Sequence, residues 1–356
     1  MTDDIRIRRT AQSKLGEVDW NHLPFGRIFS DHMLAMDYAD GAWQAPEILP
    51  YGPISMQPCN ATLHYGQTIF EGMKAIRAAD GRITLFRPEL NARRFNESCE
   101  RLCMPRLDET RFIELVKALV RFERDWVPAS ADSSLYLRPF LFATDELLGV
   151  RPSETYKFMI IACPAGAYYA KPVSVKIEEH YTRAAEGGTG RAKTAGNYAA
   201  SLLPTKLAHD EGFDQLIWTD GKEHRYIEES GTMNLVLVID GTILTPSEDS
   251  DTILRSVVKR SVVDLARHWG LPVEERRISV EELITAIRDG RLQDAFGAGT
   301  AATIAPIVEI GFRGERFTLP AVETRTVSAR IKAYLDGIKS GSVADELGWC
   351  VEVRAL

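Results

Sequence analysis

The chain has 356 residues, which exceeds the usual size of a single hydrophobic core and favours two domains. Hydrophobic residues at 45% and charged residues at 26% are typical of an ordinary globular protein, and no apolar run is long enough to span a membrane. The net charge of −7, without a concentrated basic face, argues against nucleic acid as a partner.

The first half of the chain predicts alternating strands and helices. A strand at 82–86 is followed by a helix at 89–102 and by a second helix at 109–127. Two further strands are predicted at 133–144 and 156–163, and the second is almost continuously apolar, which is typical of a buried strand. The pattern is α+β.

A domain boundary is predicted in the segment PAGAYYAKPV, where small residues, prolines and aromatics interrupt the periodicity. We therefore expect an N-terminal domain at 1–164, a linker at 165–176 and a C-terminal domain at 177–356.

The second domain begins with strand patterns at 213–220 and 225–230 around a turn. The segment 233–246 predicts two strands joined at Asp240-Gly241, which is a strong hairpin signal. These patterns indicate an antiparallel or mixed sheet.

Two helices of this domain have clear end signals. The helix pattern at 261–270 ends on a glycine cap. In ISVEELITAIRDG, Ser279 and Glu282 match a capping box, and Ile278 and Leu283 match a hydrophobic staple. The glycine-rich segment 294–307 is either buried packing or a place where backbone amides approach a ligand closely.

The cysteines and histidines give no metal signal. The histidines are scattered, and the cysteines, which are dispersed and odd in number, are expected to be reduced and structural: Cys59, Cys99, Cys103, Cys163 and Cys350. The charged N-terminal segment lacks the apolar region of a secretory signal, so we expect a cytoplasmic protein.

One lysine, Lys193, lies among small uncharged residues in the segment GGTGRAKTAGNYAAS. A single lysine is usually a solvated surface charge. A phosphate-binding P-loop requires a glycine directly before Lys-Thr, and Ala192 occupies that position, which disfavours this alternative. The third alternative is a Schiff-base lysine, whose poorly solvated amine reacts with a carbonyl cofactor.

Pyridoxal phosphate, the usual partner of such a lysine, requires three further groups. A carboxylate must pair with the pyridine nitrogen so that the ring can withdraw electrons. An arginine, hydroxyls and backbone amides at a helix N-terminus must hold the phosphate. A donor should also bind the phenolic oxygen of the ring.

Six ordered segments of the chain resemble the branched-chain amino acid aminotransferases, members of the class IV (D-alanine aminotransferase-like) fold of pyridoxal phosphate enzymes. The segments are LHYGQTIFEGMKAI at 63–76, LFRPELNARRF at 85–95, SLYLRP at 134–139, AKTAGNYAAS at 192–201, YIEESGTMNLVLV at 226–238 and GAGTAATIAPI at 297–307. The resemblance implies an α+β fold with a small α/β domain and a larger domain, in which helices surround an antiparallel or mixed, barrel-like sheet. It also implies reversible ping-pong transfer of the amino group of leucine, isoleucine or valine to 2-oxoglutarate.

The resemblance implies a set of cofactor-binding residues. Lys193 resembles the Schiff-base lysine that moves the proton during catalysis, and Tyr198 resembles the donor to the phenolic oxygen. Glu229 resembles the carboxylate at the pyridine nitrogen, with Glu228 as the alternative. Arg94 resembles the phosphate-binding arginine, with Arg93 as the alternative, one of the two being a surface residue. The remaining phosphate ligands implied are the amides of Val257 and Val258 and the hydroxyl of Thr300.

The resemblance also implies substrate-binding residues. Tyr136 and the amides of Thr300 and Ala301 resemble the group that holds the α-carboxylate, and Arg138 resembles the residue that binds the distal carboxylate of glutamate. The apolar pocket implied by the resemblance is formed by Tyr65, Phe70 and Tyr168, which could also be ordinary aromatic core.

The sequence departs from the family pattern at Arg255-Ser256, where a Pro-Gly or Asp-Gly pair is expected before the phosphate-binding amides. Members generally form homodimers, which we also expect here. The alternatives are a D-amino acid or (R)-amine aminotransferase, an aminodeoxychorismate lyase, or an inactive binding protein. An inactive homologue would be expected to lose Lys193 or Glu229, and both are present.

Overall fold

A computed structural model describes residues 4–130, 132–166, 171–301 and 303–355. The chain divides into two compact units. The first unit comprises Met1–Tyr168, Ala192–Ala195 and Asp336–Leu356, and the second comprises Tyr169–Arg191 and Gly196–Leu335.

The first unit is built on one large sheet with helices. Its elements begin with β1 (Arg6–Ile7), β2 (His32–Ala39), β3 (Ala42–Trp43), β4 (Glu47–Pro50), α1 (Ala61–Tyr65), β5 (Thr68–Phe70), β6 (Met73–Arg77) and β7 (Ile83–Phe86). They continue with α2 (Pro88–Arg101), α3 (Glu109–Phe122), β8 (Ser134–Ala143) and β9 (Tyr156–Ala165). The central strands pair antiparallel in the order β4-β2-β9-β8-β6-β7.

The core of the first unit lies between the sheet and helices α2 and α3. The ring of Phe95 on α2 lies 5.1 Å from that of Phe112 on α3 and 5.5 Å from that of Phe158 on β9. The predicted apolar face of α3 is buried as expected, because Phe112, Leu115, Val116 and Leu119 are all inaccessible to solvent. The helix pattern at 109–127 ends in a short 3-10 turn at Arg124–Trp126.

The second unit combines a mixed sheet with helices. Its strands are β10 (Val173–Ile177), β11 (Gln215–Thr219), β12 (Ile227–Ser230), β13 (Met233–Ile239), β14 (Thr242–Thr245), β15 (Val273–Glu275), β16 (Leu292–Gly299), β17 (Thr303–Phe312) and β18 (Glu315–Thr318). The helices of this part of the chain are α4 (Ala195–Ala200), α5 (Leu202–Asp210), α6 (Val257–His268), α7 (Val280–Arg288) and α8 (Val327–Ser340).

Six of these strands close into a barrel. Their order is β12-β11-β10-β17-β16-β13, and β12 pairs with β13 to complete the ring. Closure leaves no open edge within the ring. The α+β prediction with a barrel-like sheet is therefore confirmed.

Local signals in the second unit have the expected structural basis. Asp240 and Gly241 have φ angles of 49° and 76°, as the tight turn between β13 and β14 requires. Ser279 caps α7 by accepting the N–H of Glu282 at 3.0 Å. The Glu282 carboxylate instead accepts two hydrogen bonds from Arg276, so only half of the predicted capping box is formed.

The two units divide the chain differently from the predicted domains. The segment Ala192–Ala195, inside the domain predicted at 177–356, belongs to the first unit. Strand β10 begins at Val173, inside the predicted linker 165–176, because this apolar segment pairs with both β11 and β17. The last strand, β19 (Cys350–Glu352), pairs antiparallel with β7, so that Asp336–Leu356 groups with the first unit rather than with the domain predicted at 177–356.

Within the described residues, no helix is both long and apolar enough to cross a bilayer. The same residues contain no cluster of three metal-ligating side chains. All five cysteines lie in the described ranges and are free thiols.

Candidate active site

The predicted site residues are distributed over both units. The first unit contains Tyr65, Phe70, Arg94, Tyr136, Arg138 and Lys193. The second contains Tyr198, Glu229, Val257, Val258, Thr300 and Ala301. Tyr168 lies outside the described residues.

Lys193 belongs to a four-residue segment that is integrated into the first unit. Its backbone N–H donates to the Ser98 hydroxyl at 2.9 Å, and its carbonyl accepts the N–H of Phe70 at 3.0 Å. The Lys193 amine lies 4.8 Å from the centre of the Phe70 ring, in the geometry of a cation–π contact. The lysine is half-buried, so it is not the solvated surface charge that is usual for this residue.

Arg94 is buried in α2, whereas Arg93 is exposed, as predicted for one of the two. Arg94 donates through Nε and Nη2 to the two carboxylate oxygens of Glu71, both at 2.8 Å. Asn91, one turn earlier on the same helix, donates to Glu71 at 2.8 Å. The ion pair between Arg94 and Glu71 neutralises the buried charge of Arg94 and fixes the plane of its guanidinium.

Tyr136 and Arg138 lie two residues apart on β8 and therefore share one face of the sheet. Arg138 donates to the Tyr136 hydroxyl at 3.0 Å, and its guanidinium lies 4.7 Å from the centre of the Phe70 ring. A Cβ at Gly72 would overlap the Tyr136 hydroxyl, so this tyrosine requires glycine beside it. A cation, a hydroxyl and an aromatic wall thus form one cluster.

Glu229 is buried on β12 of the second unit, with 4% of its surface exposed, which excludes a solvated charge at the strand end. Its Oε1 accepts the N–H of Leu254 at 2.5 Å, and its Oε2 lies 3.3 Å from Nε of Arg183. The guanidinium favours the ionised form of the carboxylate. Arg183 was not among the residues that the sequence indicated.

The glycine-rich stretch before Lys193 has a packing role in this cluster. Arg183 donates through Nη2 to the carbonyls of Gly190 and Thr252. A Cβ at Gly190 would lie 2.5 Å from Cβ of Ala184 and 2.8 Å from the Thr252 carbonyl. Glycine therefore allows the chain to close around Arg183.

Glu228, the alternative to Glu229, is also buried. Burial raises the pKa of Glu228 and the neighbouring charge of Glu229 adds to this, while the Thr252 hydrogen bond and the Arg183 charge act in the opposite direction. Glu228 therefore keeps a proton more readily than an ordinary exposed glutamate.

The first turn of helix α6 presents backbone N–H groups at its N-terminus. Ser256 is its N-cap and accepts the N–H of Lys259 at 3.2 Å, so the helix starts at Val257 although the expected glycine is absent. The amides of Val257 and Val258 occupy the first helical positions, where an anion is favoured.

The remaining predicted residues lie in three different settings. Thr300 and Ala301 form part of the turn between β16 and β17. Tyr198 is half-buried on α4, and Tyr65 at the end of α1 is 45% exposed.

Three residues that sequence reasoning missed support the predicted ones: Glu71, Ser98 and Arg183. Glu71 lies in the segment LHYGQTIFEGMKAI, next to Phe70. An acidic side chain in an apolar run is a signal of a buried, paired charge. Ser98 and Arg183 carry no local signal, because their partners are distant in sequence.

Comparison with known proteins identifies the family. The model of the family described as Amino-transferase class IV matches residues 68–310. The chain is 47% identical over 356 residues to Branched-chain-amino-acid aminotransferase 2 of Bacillus subtilis (strain 168), which covers 99% of this chain and 98% of that protein.

Two solved structures have the same fold. The branched-chain amino acid aminotransferase of Escherichia coli has a TM-score of 0.73 at 26% identity and covers 90% of this chain and 99% of that chain. The T.th. branched-chain amino acid aminotransferase complexed with N-(5′-phosphopyridoxyl)-L-glutamate has a TM-score of 0.73 at 25% identity and covers 90% of this chain and 98% of that chain. With the family match and the full-length identity, the chain belongs to the branched-chain amino acid aminotransferases of the class IV aminotransferase family.

Proposed function

We propose that this protein is a branched-chain amino acid transaminase that reversibly transfers the amino group of leucine, isoleucine or valine to 2-oxoglutarate in a ping-pong reaction. The observation that carries this conclusion is the 47% identity over 99% of the chain to the Bacillus subtilis aminotransferase. The cofactor is pyridoxal 5′-phosphate, which when bound withdraws electrons from the substrate Cα.

The donor set of the chain fits this cofactor. Glu229 offers a buried anion to a protonated pyridine nitrogen, and Arg183 beside it supports its charge. The amides of Val257 and Val258 at the start of α6 suit a phosphate, with Arg94 and the Thr300 hydroxyl as further donors.

Lys193 is the covalent attachment residue and the proton carrier in this proposal. With the cofactor bound, the Lys193 amine would take the proton from the substrate Cα as a general base and give it back as a general acid. Tyr198 donates to the phenolic oxygen of the cofactor. Half-burial of Lys193 against Phe70 supports this role, because it limits access of water to the amine.

Substrate recognition has to accept two different side chains. Tyr136 and the amides of Thr300 and Ala301 hold the α-carboxylate, which both substrates share. Arg138 binds the distal carboxylate of glutamate, and its contact with Phe70 supports the dual use of one pocket. The apolar walls of that pocket are assigned to Phe70, Tyr65 and Tyr168.

The oligomeric state and the compartment are part of the proposal. A homodimer is supported by apolar side chains that the single chain leaves exposed, such as Leu202 at 70% and Leu203 at 53% on α5. Sedimentation equilibrium should give twice the chain mass, and Leu203→Glu should shift it towards the monomer. A cytoplasmic location is supported by the five free thiols.

The role of Lys193 is tested by Lys193→Ala in the purified, cofactor-loaded protein. The variant should lose both the visible absorbance of the bound cofactor and the transaminase activity. Lys222→Ala is the matched control, because Lys222 is exposed in the turn between β11 and β12. A Lys193→Ala protein that remains yellow and active would contradict the proposal.

The substrate class is tested by half-reaction rates for leucine, isoleucine, valine, glutamate, D-alanine and an (R)-amine. We expect the first four to convert the cofactor and the last two to leave it unchanged. Faster conversion by D-alanine or the amine would favour one of the other class IV activities.

A further inference from the structure

Ser98 connects helix α2 to the backbone of Lys193. Its side chain is inaccessible to solvent. The hydroxyl donates to the carbonyl of Arg94, one turn earlier on α2, at 2.9 Å. The same hydroxyl accepts the N–H of Lys193 at 2.9 Å. One oxygen therefore bridges the main chains of the two residues that are assigned to the cofactor in this unit.

The opposite side of the Lys193 peptide is held by β5. The N–H of Phe70 donates to the Lys193 carbonyl at 3.0 Å. The hydroxyl of the next residue, Thr194, donates to the Thr68 carbonyl at 2.7 Å, and Thr194 forms an isolated bridge with Ile69. The β5 contacts are backbone and threonine interactions of a kind common in sheets. The contact on the α2 side is made by the Ser98 side chain.

We propose that Ser98 is a positioning residue for Lys193: its hydroxyl fixes the lysine backbone against α2 so that the amine starts each proton transfer from a defined place. This inference rests on the proposed function of Lys193. A lysine side chain has four flexible carbons, so a mobile backbone would add to the disorder of the amine. Displacement of a reacting group by about 1 Å can cost roughly a hundredfold in rate.

A purely structural serine would need only the bond to Arg94. Serine in a helix commonly donates to the carbonyl one turn earlier, and this bond is at best neutral for stability. What distinguishes Ser98 is the accepted bond from outside its helix. Alanine at this position would leave the helix able to form while the N–H of Lys193 lost its acceptor.

The decisive experiment compares Ser98→Ala with Cys99→Ala in the full-length protein. Cys99 is the matched control, because it is the next residue on α2 and equally buried, and its substitution loosens the packing of the helix without touching Lys193. The first readout is hydrogen exchange of the Lys193 amide, resolved to single residues by mass spectrometry. The second is the separation of kcat from KM for leucine.

Ser98→Ala should exchange the Lys193 amide about tenfold faster and lower kcat by about tenfold at nearly unchanged KM. Cys99→Ala should leave both values close to those of the parent protein. Ser98→Thr, which keeps the hydroxyl, should retain the protection of the amide. The inference is overturned if Ser98→Ala exchanges at the parental rate, or if its kcat falls no further than that of Cys99→Ala. The exchange measurement needs no turnover, so it reports on the hydrogen bond between Ser98 and Lys193 even if the assigned activity is absent.

Discussion

Glu71 and Arg94 face each other in the first unit through two hydrogen bonds of 2.8 Å, and Glu71 is fully buried. Removal of one member of such a pair leaves the other charge buried and uncompensated. We expect Glu71→Ala to lower the free energy of unfolding by about 3–5 kcal/mol in urea denaturation. Glu89→Ala is the control, because Glu89 lies on α2, the helix that carries Arg94. Its pair with Arg87 is long, at 3.7 Å, and half-exposed on the Glu89 side, so a change below about 1 kcal/mol is expected.

Arg183→Gln tests the charge beside Glu229. Loss of the guanidinium removes the positive charge that lies 3.3 Å from the buried Glu229 carboxylate, so kcat/KM for leucine should fall. Arg191→Gln is the control. Arg191, like Arg183, lies between β10 and α4, and it pairs with Asp251 at 3.6 Å. Equal kcat/KM values for the two variants would remove Arg183 from the site.

Gly72→Ala tests the space beside Tyr136. The added methyl group would overlap the tyrosine hydroxyl, so the ring must move. Overpacking of this kind costs about 1–3 kcal/mol, and we expect KM for leucine and for glutamate to rise together, because both share the α-carboxylate site. Gly52→Ala is the control, since nothing lies within 4 Å of its added Cβ. An unchanged KM for Gly72→Ala would argue against Tyr136 as a substrate ligand.

Ser256→Ala tests the cap of helix α6. Loss of the bond to the Lys259 N–H should cost about 1 kcal/mol of stability and also weaken cofactor binding, because the same turn presents the amides of Val257 and Val258. Ser279→Ala removes an equivalent cap from α7, where no ligand is assigned. The two variants should therefore lose similar stability in the cofactor-free form, and only Ser256→Ala should show a raised dissociation constant for pyridoxal phosphate in a fluorescence titration.

Asp220 is expected to contribute to acid sensitivity. Burial alone would raise its pKa, but the N–H groups of Tyr226, Glu223, Arg225 and Lys222 donate to the carboxylate and together hold the pKa below its usual range. A lowered pKa stabilises the fold above the unfolded value of about 3.9, and this contribution is lost as the pH falls through that region. The melting temperature of Asp220→Asn should be lower than that of the parent protein at pH 7, and the difference between the two should shrink below about pH 4. A difference that is constant over this range would exclude titration of Asp220 as its cause.

The sequence predicted the elements well where the signal is local. The Asp240-Gly241 turn, the apolar face of α3 and the Ser279 cap each depend on neighbouring residues, and all three are present. Boundaries between the units were harder to predict. β10 and β19 are assigned by pairing partners far along the chain, and periodicity carries no information about such partners.

The candidate site divides in the same way. Lys193 and Glu229 could be predicted as site residues because the resemblance aligned the segments AKTAGNYAAS and YIEESGTMNLVLV with the family pattern. Arg183 and Ser98 could not, since each acts through a hydrogen bond or ion pair that only tertiary folding creates. In the glycine-rich stretch before Lys193, close packing accounts for Gly190, whose carbonyl accepts a hydrogen bond from Arg183.

The closed barrel has a consequence for how this enzyme could be altered. Glu229 lies opposite Asn234 at the seam where β12 meets β13, so the ring of strands is completed at the residue assigned to the pyridine nitrogen. Selection for greater heat resistance and selection for activity then act on the same backbone bonds at that seam. Strands β14, β15 and β18 lie outside the ring, so insertions or fused sequences should be tolerated best at exposed loop tips beside them.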